Sequence, residues 1–458
     1  MSQKDLPKAP SFWKILGPSF IFLGLSLGSG ELILWPFLAA NYGLGILWGA
    51  LLGITFQFFM NMEIERYALV FGESIFVGFR KLWRAWPAWF IVSTFIAWGL
   101  PGFSAAGSQI LNQMIGLGNE TLVAIGLLLL VGIILSIGKT LYRTMEIFQK
   151  SVILLGIPFI LFLVFLLTKA SDWQTTFIGL AGVGIDYRFL PAGISLMSFL
   201  GAFAYAGAGG NLNLVQSYYI KEKGYGMGAF AQKVKSLFAH GSTKVELEGQ
   251  TFPKTAANLR EFKKWWKIVN LEHLFVFWFL GLLTIVLLAV LAYSLVYQTG
   301  GSIEGISFLF IEASFIGRRL APVFGFLFLL IGFLMLYSTQ VAVLESTSRI
   351  ISENFFLLLK NQKGKVNLSK GFYLALWGQI IFGILVLLLG FREPRFLLTL
   401  AAVINAFCMF VHLGLTYFLN RKSLPQVLRP AFFRQVVLLL AFIFLGVFSF
   451  LTFWQGVR

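Results

Sequence analysis

The sequence predicts an all-α membrane protein with eleven transmembrane helices, and three observations support this fold class. Of the 458 residues, 58% are apolar and only 12% are charged, whereas soluble domains are about 45–50% apolar and about 25% charged. Apolar runs long enough to cross a hydrocarbon core of roughly 30 Å recur along the whole chain. Basic residues concentrate in every second connection between these runs, which is typical of multi-pass membrane proteins.

The apolar runs define the predicted spans in chain order. They cover residues 15–40, 44–65, 88–115, 121–137, 151–168, 189–218, 269–297, 319–350, 371–390, 396–418 and 433–454. The single cysteine, Cys408, lies inside the tenth of these spans. The chain therefore has no internal disulfide framework and no cysteine-based metal site.

The distribution of Lys and Arg predicts the orientation. With the N-terminus in the cytoplasm, 29 of the 36 basic residues fall on the cytoplasmic side and seven on the other side. This asymmetry follows the positive-inside rule, and it predicts a cell membrane protein, inner or plasma membrane, with its C-terminus outside. It also explains the net charge of +17. Membrane lipid is therefore the expected surrounding partner, and no nucleic-acid partner is expected.

Small residues cluster in the middle of two spans, at Gly24–Glu31 in the first and at Gly201–Asn211 in the sixth. Glycine destabilises a helix and tolerates non-helical dihedral angles. Close helix packing explains one such cluster well. Two clusters placed five spans apart favour inverted five-helix repeats, whose discontinuous helices one and six form a substrate site. The similar segments Tyr42–Gly45 and Tyr225–Gly228, one after each cluster, agree with a repeat.

The repeat divides the chain into four predicted parts. They are a cytoplasmic N-terminus at 1–14, a first five-helix repeat at 15–168, a second repeat at 169–418 with a cytoplasmic loop at 219–268, and a linker with the eleventh helix at 419–458. Within the second repeat, the Lys-rich segment 221–267 is interpreted as a cytoplasmic linker with some helix near Leu259–Lys267, and a regulatory role is the alternative.

The two breaks predict a substrate site at mid-membrane depth. Carbonyl groups exposed at a helix end favour cations, and N–H groups at a helix start favour anions. Glu31 is an ionisable residue inside a span, so we expect cation or proton coupling there, with capping of the second half-helix as the alternative. Asn211 and Asn213 either ligate an ion or cap the broken helix. The predicted substrate-binding residues are Gly28, Ser29, Gly30, Glu31, Ala208, Gly209, Asn211, Asn213 and Asn405.

A second group of residues is predicted to gate or couple transport. Tyr205 precedes the break in span six, and either gates it or packs against it. Asn405 and His412 lie seven residues apart, hence on one helix face, and a lone His inside a membrane is more often structural than a proton relay. Glu345 adds a second intramembrane acid. At the end of span two, Glu63, Glu65 and Arg66 predict an inner-gate ion-pair network, with interfacial anchoring as the alternative.

Enzymatic function is not expected. The sequence contains no nucleophile–base pair, no HExxH motif and no P-loop, so nothing predicts catalysis or an ATP-driven pump. No cofactor is expected, a small solute or a metal ion is the expected substrate, and the protein is expected to be a monomer.

These features resemble the NRAMP family of divalent-metal transporters over most of the chain. The resemblance rests on Gly17-Pro18-Ser19-Phe20 at the start of helix one, on Tyr42–Gly45, on the break in helix six and on the polar helix eight. It implies a leucine-transporter-like fold and secondary active transport of a divalent cation by alternating access. The implied metal ligands are Glu31 and Asn211.

The chain departs from the family at its metal-binding motifs. The family's Asp-Pro-Gly-Asn motif falls on Gly28–Glu31, so the aspartate is replaced. Its Met-Pro-His-Asn motif falls on Ala208–Asn211, so the thioether and the imidazole are missing. A thioether selects softer transition metals, whereas a set made of oxygen atoms also suits Mg²⁺. The predicted substrate is accordingly a divalent cation of the Mn²⁺, Fe²⁺ and Mg²⁺ class.

Two alternatives to this function remain. The Gly28-Ser29-Gly30 segment also resembles the amino-acid/polyamine/organocation transporters, in which a Gly-x-Gly break binds a substrate carboxylate through backbone amides. This resemblance implies transport of an amino acid or another small organic solute on the same fold. The second alternative is a sensor or scaffold that keeps the fold and has lost transport, with the basic segment 221–267 as its output.

Overall fold

The fold is all-helical in the computed structural model, which describes residues 3–12, 15, 18–137, 141–231, 246–297, 303–359 and 367–457. The basic residues Lys14, Lys139 and Arg458, together with Gly17 and residues 232–245 of the Lys-rich segment, lie outside the described residues. The α-helices are α1 (Pro18–Ser26), α2 (Trp35–Tyr42), α3 (Trp48–Phe71), α4 (Ile75–Leu82), α5 (Trp86–Trp98), α6 (Gly102–Ile115), α7 (Glu120–Ile137), α8 (Leu141–Leu167), α9 (Ala170–Gly179), α10 (Leu196–Ala204), α11 (Gln216–Lys223), α12 (Ala256–His273), α13 (Leu280–Leu295), α14 (Ser307–Arg319), α15 (Pro322–Leu359), α16 (Leu368–Leu388), α17 (Pro394–Ser423) and α18 (Phe432–Val457).

Ten helical segments in the described part of the chain are long and apolar enough to cross a membrane, and one of them, Trp86–Ile115, is interrupted between α5 and α6. They are Ser19–Tyr42, Leu44–Phe71, Trp86–Ile115, Glu120–Ile137, Glu146–Leu167, Ala256–Leu295, Pro322–Leu359, Leu368–Leu388, Pro394–Ser423 and Phe432–Gln455. The most apolar 18-residue stretch of the first segment is completely buried, whereas only 28% of the corresponding stretch of the last segment is buried. Helix one is therefore central, and α18 lies at the periphery.

The sixth predicted span, 189–218, is absent from these ten because its helical parts are short and separated by a non-helical stretch. It contains the nine-residue α10, a 3₁₀ helix at Gly210–Val215 and the start of the eight-residue α11. The residues between Ala204 and Gly210 are not helical. Gly209 and Gly210 have φ angles of 73° and 54°, and this left-handed region favours glycine because a Cβ atom is strained there.

Helix one differs from the expected broken helix. A π-helix at Leu27–Leu34 joins α1 directly to α2, so the backbone stays helical through the Gly-rich cluster. Such wide turns free individual backbone groups from regular pairing. Thr339 of α15 satisfies two of them: its hydroxyl donates to the Gly24 carbonyl at 2.8 Å and accepts the Gly28 N–H at 3.0 Å. A second π-helix, Leu274–Phe279, joins α12 to α13.

Short elements close the predicted cytoplasmic side. The N-terminal segment lies along α12, where the Leu6 N–H donates to Asn258 Oδ1 at 3.1 Å and Trp265 Nε1 donates to the Pro7 carbonyl at 2.7 Å. The Lys4 N–H pairs with the Thr251 carbonyl at 3.0 Å. The helix expected near Leu259–Lys267 is part of the longer α12. The linker thus packs on the N-terminus where the structure describes it.

Candidate functional site

The break in helix six is bridged by a side chain from α3. Gln57 donates from Nε2 to the Ala204 carbonyl at 3.0 Å and accepts the Gly209 N–H at Oε1 at 3.1 Å. The Ala204 carbonyl ends α10 and the Gly209 N–H lies in the non-helical stretch, so the helix does not continue to pair either group. Buried backbone groups without partners are costly at membrane depth. The Gln57 amide therefore stabilises the interrupted conformation, although the sequence analysis did not single it out.

Three further polar residues surround the second half of the break. Asn211 donates from Nδ2 to the hydroxyls of Ser93 and Thr94 on α5, both at 2.9 Å. His412 Nε2 lies 2.9 Å from the Gly210 carbonyl. Because a carbonyl only accepts, the His412 Nε2 atom carries the hydrogen. His412 thus contacts the backbone of the break, and its predicted part in gating or coupling stays a prediction.

Asn213 and Asn405 have buried amide oxygens without a hydrogen-bond partner in the described residues. Asn405 donates from Nδ2 to the Tyr205 hydroxyl at 3.0 Å. Both amide atoms of Asn213 are without a partner. Since buried polar groups in native structures are nearly always satisfied, these oxygens indicate places where a ligand or a water molecule binds.

Tyr205 forms an aromatic pair with Trp98 of α5. The two rings are stacked, with centroids 5.2 Å apart and an angle of 16° between their planes. Both side chains are buried, and Trp98 Nε1 has no hydrogen-bond partner among the described residues. Tyr205 therefore packs at the break and joins α5, α10 and α17 there.

The glycines of helix one lie against neighbouring helices without open space. A Cβ atom on Gly30 would lie 1.6 Å from the Tyr205 carbonyl oxygen, and one on Gly28 would lie 2.8 Å from Thr339 Oγ1. Ser29 is buried within the π-helix. Because Thr339 already accepts the Gly28 N–H, this N–H is not available to a substrate carboxylate in the described conformation. Helices one and six thus touch directly at their irregular segments.

Glu31 is buried in the centre of the molecule without an ion pair to any described residue. Its side chain has no exposed surface. The Ser26 hydroxyl lies 2.6 Å from Glu31 Oε1 and 2.8 Å from the Leu23 carbonyl, and Oε2 has no partner. The Ser26 hydroxyl carries one hydrogen, which it donates to the Leu23 carbonyl. It can then also bond to Glu31 only by accepting a hydrogen from a protonated Glu31 carboxyl group. A buried carboxylate otherwise requires a cation.

Glu63, Glu65 and Arg66 at the end of α3 do not form one network. Arg66 pairs with Glu63 at 2.7 Å, and Arg434 of α18 approaches the same carboxylate at 3.4 Å. Glu65 faces another direction and accepts from Gln216 Nε2 at 3.4 Å. Adjacent helical residues point about 100° apart, so Glu65 cannot share the partners of Arg66. The ion pair thus includes Glu63 but leaves Glu65 out.

Glu345 on α15 forms a buried ion pair with Arg349, one helical turn later. Arg349 also approaches Glu222 at 3.4 Å, beyond the end of the 3₁₀ segment of helix six. Glu345 therefore belongs to a charged cluster near the predicted cytoplasmic end, and its charge is balanced there.

The predicted substrate-binding residues Ala208 and Gly209 lie in the non-helical stretch of helix six.

The two implied metal ligands have different neighbours. Glu31 contacts Ser26 and lies beside Gly281 of α13, whereas Asn211 bonds to α5. No group of three or more His, Cys, Asp or Glu side chains that could hold a metal ion occurs in the described part of the chain. The side chains bonded to Glu31 and Asn211 include the hydroxyls of Ser26, Ser93 and Thr94, whose oxygen atoms suit hard cations.

Comparison with known proteins identifies the fold. No family model and no curated protein matches the chain. Its structure is similar to crystal structures of two single-residue variants of a manganese transporter from Eremococcus coleocola, with a TM-score of 0.70, 14% identity and coverage of 98% of this chain and 89% of that chain. It is also similar to Mhp1, a nucleobase-cation-symport-1 family transporter in a closed conformation with bromovinylhydantoin bound, with a TM-score of 0.54, 14% identity and coverage of 98% and 94%.

Proposed function

We propose that the protein is a secondary transporter of a divalent cation, working by alternating access around helices one and six. Two features support the proposal: the fold is that of two transporters with different cargoes, and the centre holds a buried carboxylate. The decisive observation is Glu31, which has no exposed surface and no ion pair to a described residue. A transported or coupled cation supplies the missing positive charge.

The surroundings of Glu31 favour a hard cation or a proton as its partner. The Ser26 hydroxyl is a neighbouring oxygen donor, and the Thr284 hydroxyl faces the same carboxyl group. Oxygen atoms of this kind bind Mg²⁺ and related cations. An anionic substrate would be repelled by Glu31, and the Gly28 N–H that would bind it is already occupied by Thr339.

The closed centre is consistent with alternating access. Glu31, Asn211, Asn213, Asn405 and His412 all have no exposed surface. A solute therefore reaches them only after helices move at one end of the molecule. Such movement breaks the fewest regular hydrogen bonds at the non-helical stretch of helix six and at the π-helix of helix one.

Liposome flux tests this function with the Glu31→Gln variant. We expect wild-type protein to transport Mn²⁺, Mg²⁺ or Ca²⁺, and the variant to be slower by about tenfold or more, because a neutral amide loses at least about 1.4 kcal/mol of cation stabilisation. Glu120→Gln is the matched control, since Glu120 is exposed at the start of α7. Unchanged cation flux in Glu31→Gln contradicts the proposal.

A small organic solute is the second candidate substrate, and one observation favours it. The stacked Trp98 and Tyr205 rings lie at the break, next to the free Trp98 N–H and the free Asn405 oxygen. Aromatic faces with polar groups at their edges bind planar organic molecules. Uptake of an amino acid or another organic solute that survives Glu31→Gln supports this candidate. A wild-type protein that moves no solute supports a sensor or scaffold.

A further inference from the structure

A buried polar stripe runs along α3 from the break in helix six toward the predicted cytoplasmic end. Gln57, Asn61 and Glu65 are spaced by four residues, so they lie on one face of the helix. None of the three exposes more than 1% of its surface. Gln57 bridges the break in helix six, and Asn61 and Glu65 follow it one and two turns further on.

The orientation of the Asn61 amide follows from its neighbours. Ser19 donates its hydroxyl hydrogen to Glu272, so it accepts from His273 Nδ1, which lies 2.9 Å away. His273 Nε2 is then an acceptor, and it receives a hydrogen from Asn61 Nδ2 at 3.3 Å. The Asn61 oxygen consequently points away from His273. It has no hydrogen-bond partner among the described residues.

Helix six presents two matching amides to this stripe. Gln216 donates to Glu65, and its own Oε1 is buried without a partner in the described structure. Asn213 lies in the 3₁₀ helix, three residues before Gln216 at the start of α11, and a spacing of three residues places both side chains on the same side of these helices. Asn213 also has a free, buried oxygen.

Glu65 adds a negative charge that the described residues leave unbalanced. Its carboxylate forms no ion pair with them, and its one hydrogen bond, from Gln216, is 3.4 Å long. The Glu272 carboxylate lies near enough to repel it electrostatically. A buried acid with unpartnered amide oxygens on its own helix face and on the facing segment of helix six is a favourable place for a cation with oxygen ligands.

We propose that Asn61, Glu65, Asn213 and Gln216 form a second cation-binding site, between the centre and the predicted cytoplasmic side. Glu31 lies at the level of Ile54 on α3, because both approach Gly281. Eleven residues of helix separate Ile54 from Glu65, which is about 16 Å along the axis. The site holds a hard cation on its way between the centre and the cytoplasm. This inference rests on the proposed cation transport and assigns a further step to it.

Cation-binding stoichiometry tests the site without requiring transport. Equilibrium dialysis of purified full-length protein with radioactive Mn²⁺, and with Mg²⁺ as competitor, is expected to give two bound ions per wild-type chain. We expect one bound ion in Glu65→Gln and one in Glu31→Gln. Glu353→Gln is the control because it removes another buried acid at the same end, bonded to Ser74, and it is expected to keep two.

A second variant covers the case in which Glu65→Gln fails to fold. Gln216→Glu adds a carboxylate beside Glu65, and we expect Mn²⁺ to bind this site roughly tenfold more tightly, since ligand charge sets cation affinity. A role limited to packing predicts no tightening. One bound ion in wild-type protein, or two in a folded Glu65→Gln, overturns the inference.

The result also separates this inference from the proposed function. If Glu31→Gln loses one bound ion and Glu65→Gln does not, the proposed function stands and the second site is ruled out. Loss in Glu65→Gln alone keeps the site and contradicts the role of Glu31. If Glu65→Gln abolishes proton flux while two Mn²⁺ ions still bind, the group carries a proton, and the inference is wrong.

Discussion

Single side chains satisfy the backbone groups that the irregular helices leave without regular partners. Gln57 holds both sides of the non-helical stretch in helix six, and Thr339 holds two backbone groups of helix one. Each of these side chains uses one hydrogen-bond donor and one acceptor to bond two backbone groups of the same helix. Replacing them therefore removes two contacts at once and exposes backbone groups that the interior cannot satisfy.

Gln57→Leu is expected to destabilise the protein. The Ala204 carbonyl and the Gly209 N–H lose their partner, at about 1–3 kcal/mol for each group. The apparent melting temperature of the purified protein in detergent measures the effect. Gln57→Glu is the matched variant: a buried carboxyl group without an ion pair stays protonated, so it keeps an acceptor for Gly209 and a donor to Ala204, and its loss is expected to be smaller. Equal melting temperatures for wild type and Gln57→Leu contradict this role.

At the scale of helices, apolar length predicted most of the segments, and local chemistry decided the rest. Ten of the eleven predicted spans correspond to helical segments long enough to cross a membrane, because such a segment needs only a long apolar run. The composition of the two Gly-rich clusters is alike, yet one is π-helical and the other is interrupted. Thr339 contacts the π-helical cluster, and Gln57 contacts the interrupted one. Each contact joins residues far apart in the chain, so a single sequence does not show it.

The same limit applies to the candidate site. The separation of Glu65 from the Glu63–Arg66 pair follows from helical spacing alone, so it was predictable. The hydrogen bond between Glu65 and Gln216 depends on how helix six packs on α3, so it could not be predicted from the sequence. The π-helix also changed the expected role of Gly30, from a ligand-binding backbone to a contact with the Tyr205 carbonyl.

Gly30→Ala is expected to prevent helices one and six from reaching their observed contact. A Cβ atom at Gly30 meets the Tyr205 carbonyl oxygen, which is backbone and cannot rotate away. We expect loss of folded, monodisperse protein in gel filtration. Gly378→Ala on α16 is the control, because nothing lies within 4 Å of its Cβ position. A stable Gly30→Ala variant with wild-type flux shows that the two helices do not need this contact.

At the scale of the whole molecule, the number of crossings determines where the two termini lie. Ten crossings place both termini on one side of the membrane, and eleven place them on opposite sides. The interrupted segment from Leu196 to Lys223 is the difference. Its two halves together hold a buried, largely apolar run, so we propose that it crosses the membrane despite the interruption. The excess of Lys and Arg then predicts that the N-terminus lies in the cytoplasm.

Thiol labelling from each side of the membrane tests this arrangement. Lys8→Cys and Gln455→Cys place single thiols at exposed positions near the two ends, while the native Cys408 is buried and serves as the unlabelled background. We expect a membrane-impermeant maleimide to label Lys8→Cys only in inside-out vesicles and Gln455→Cys only in right-side-out vesicles. Labelling of both from the same side means ten crossings. In that case the Gly-rich stretch of segment six enters the membrane without spanning it, and the helices that follow it have the opposite orientation.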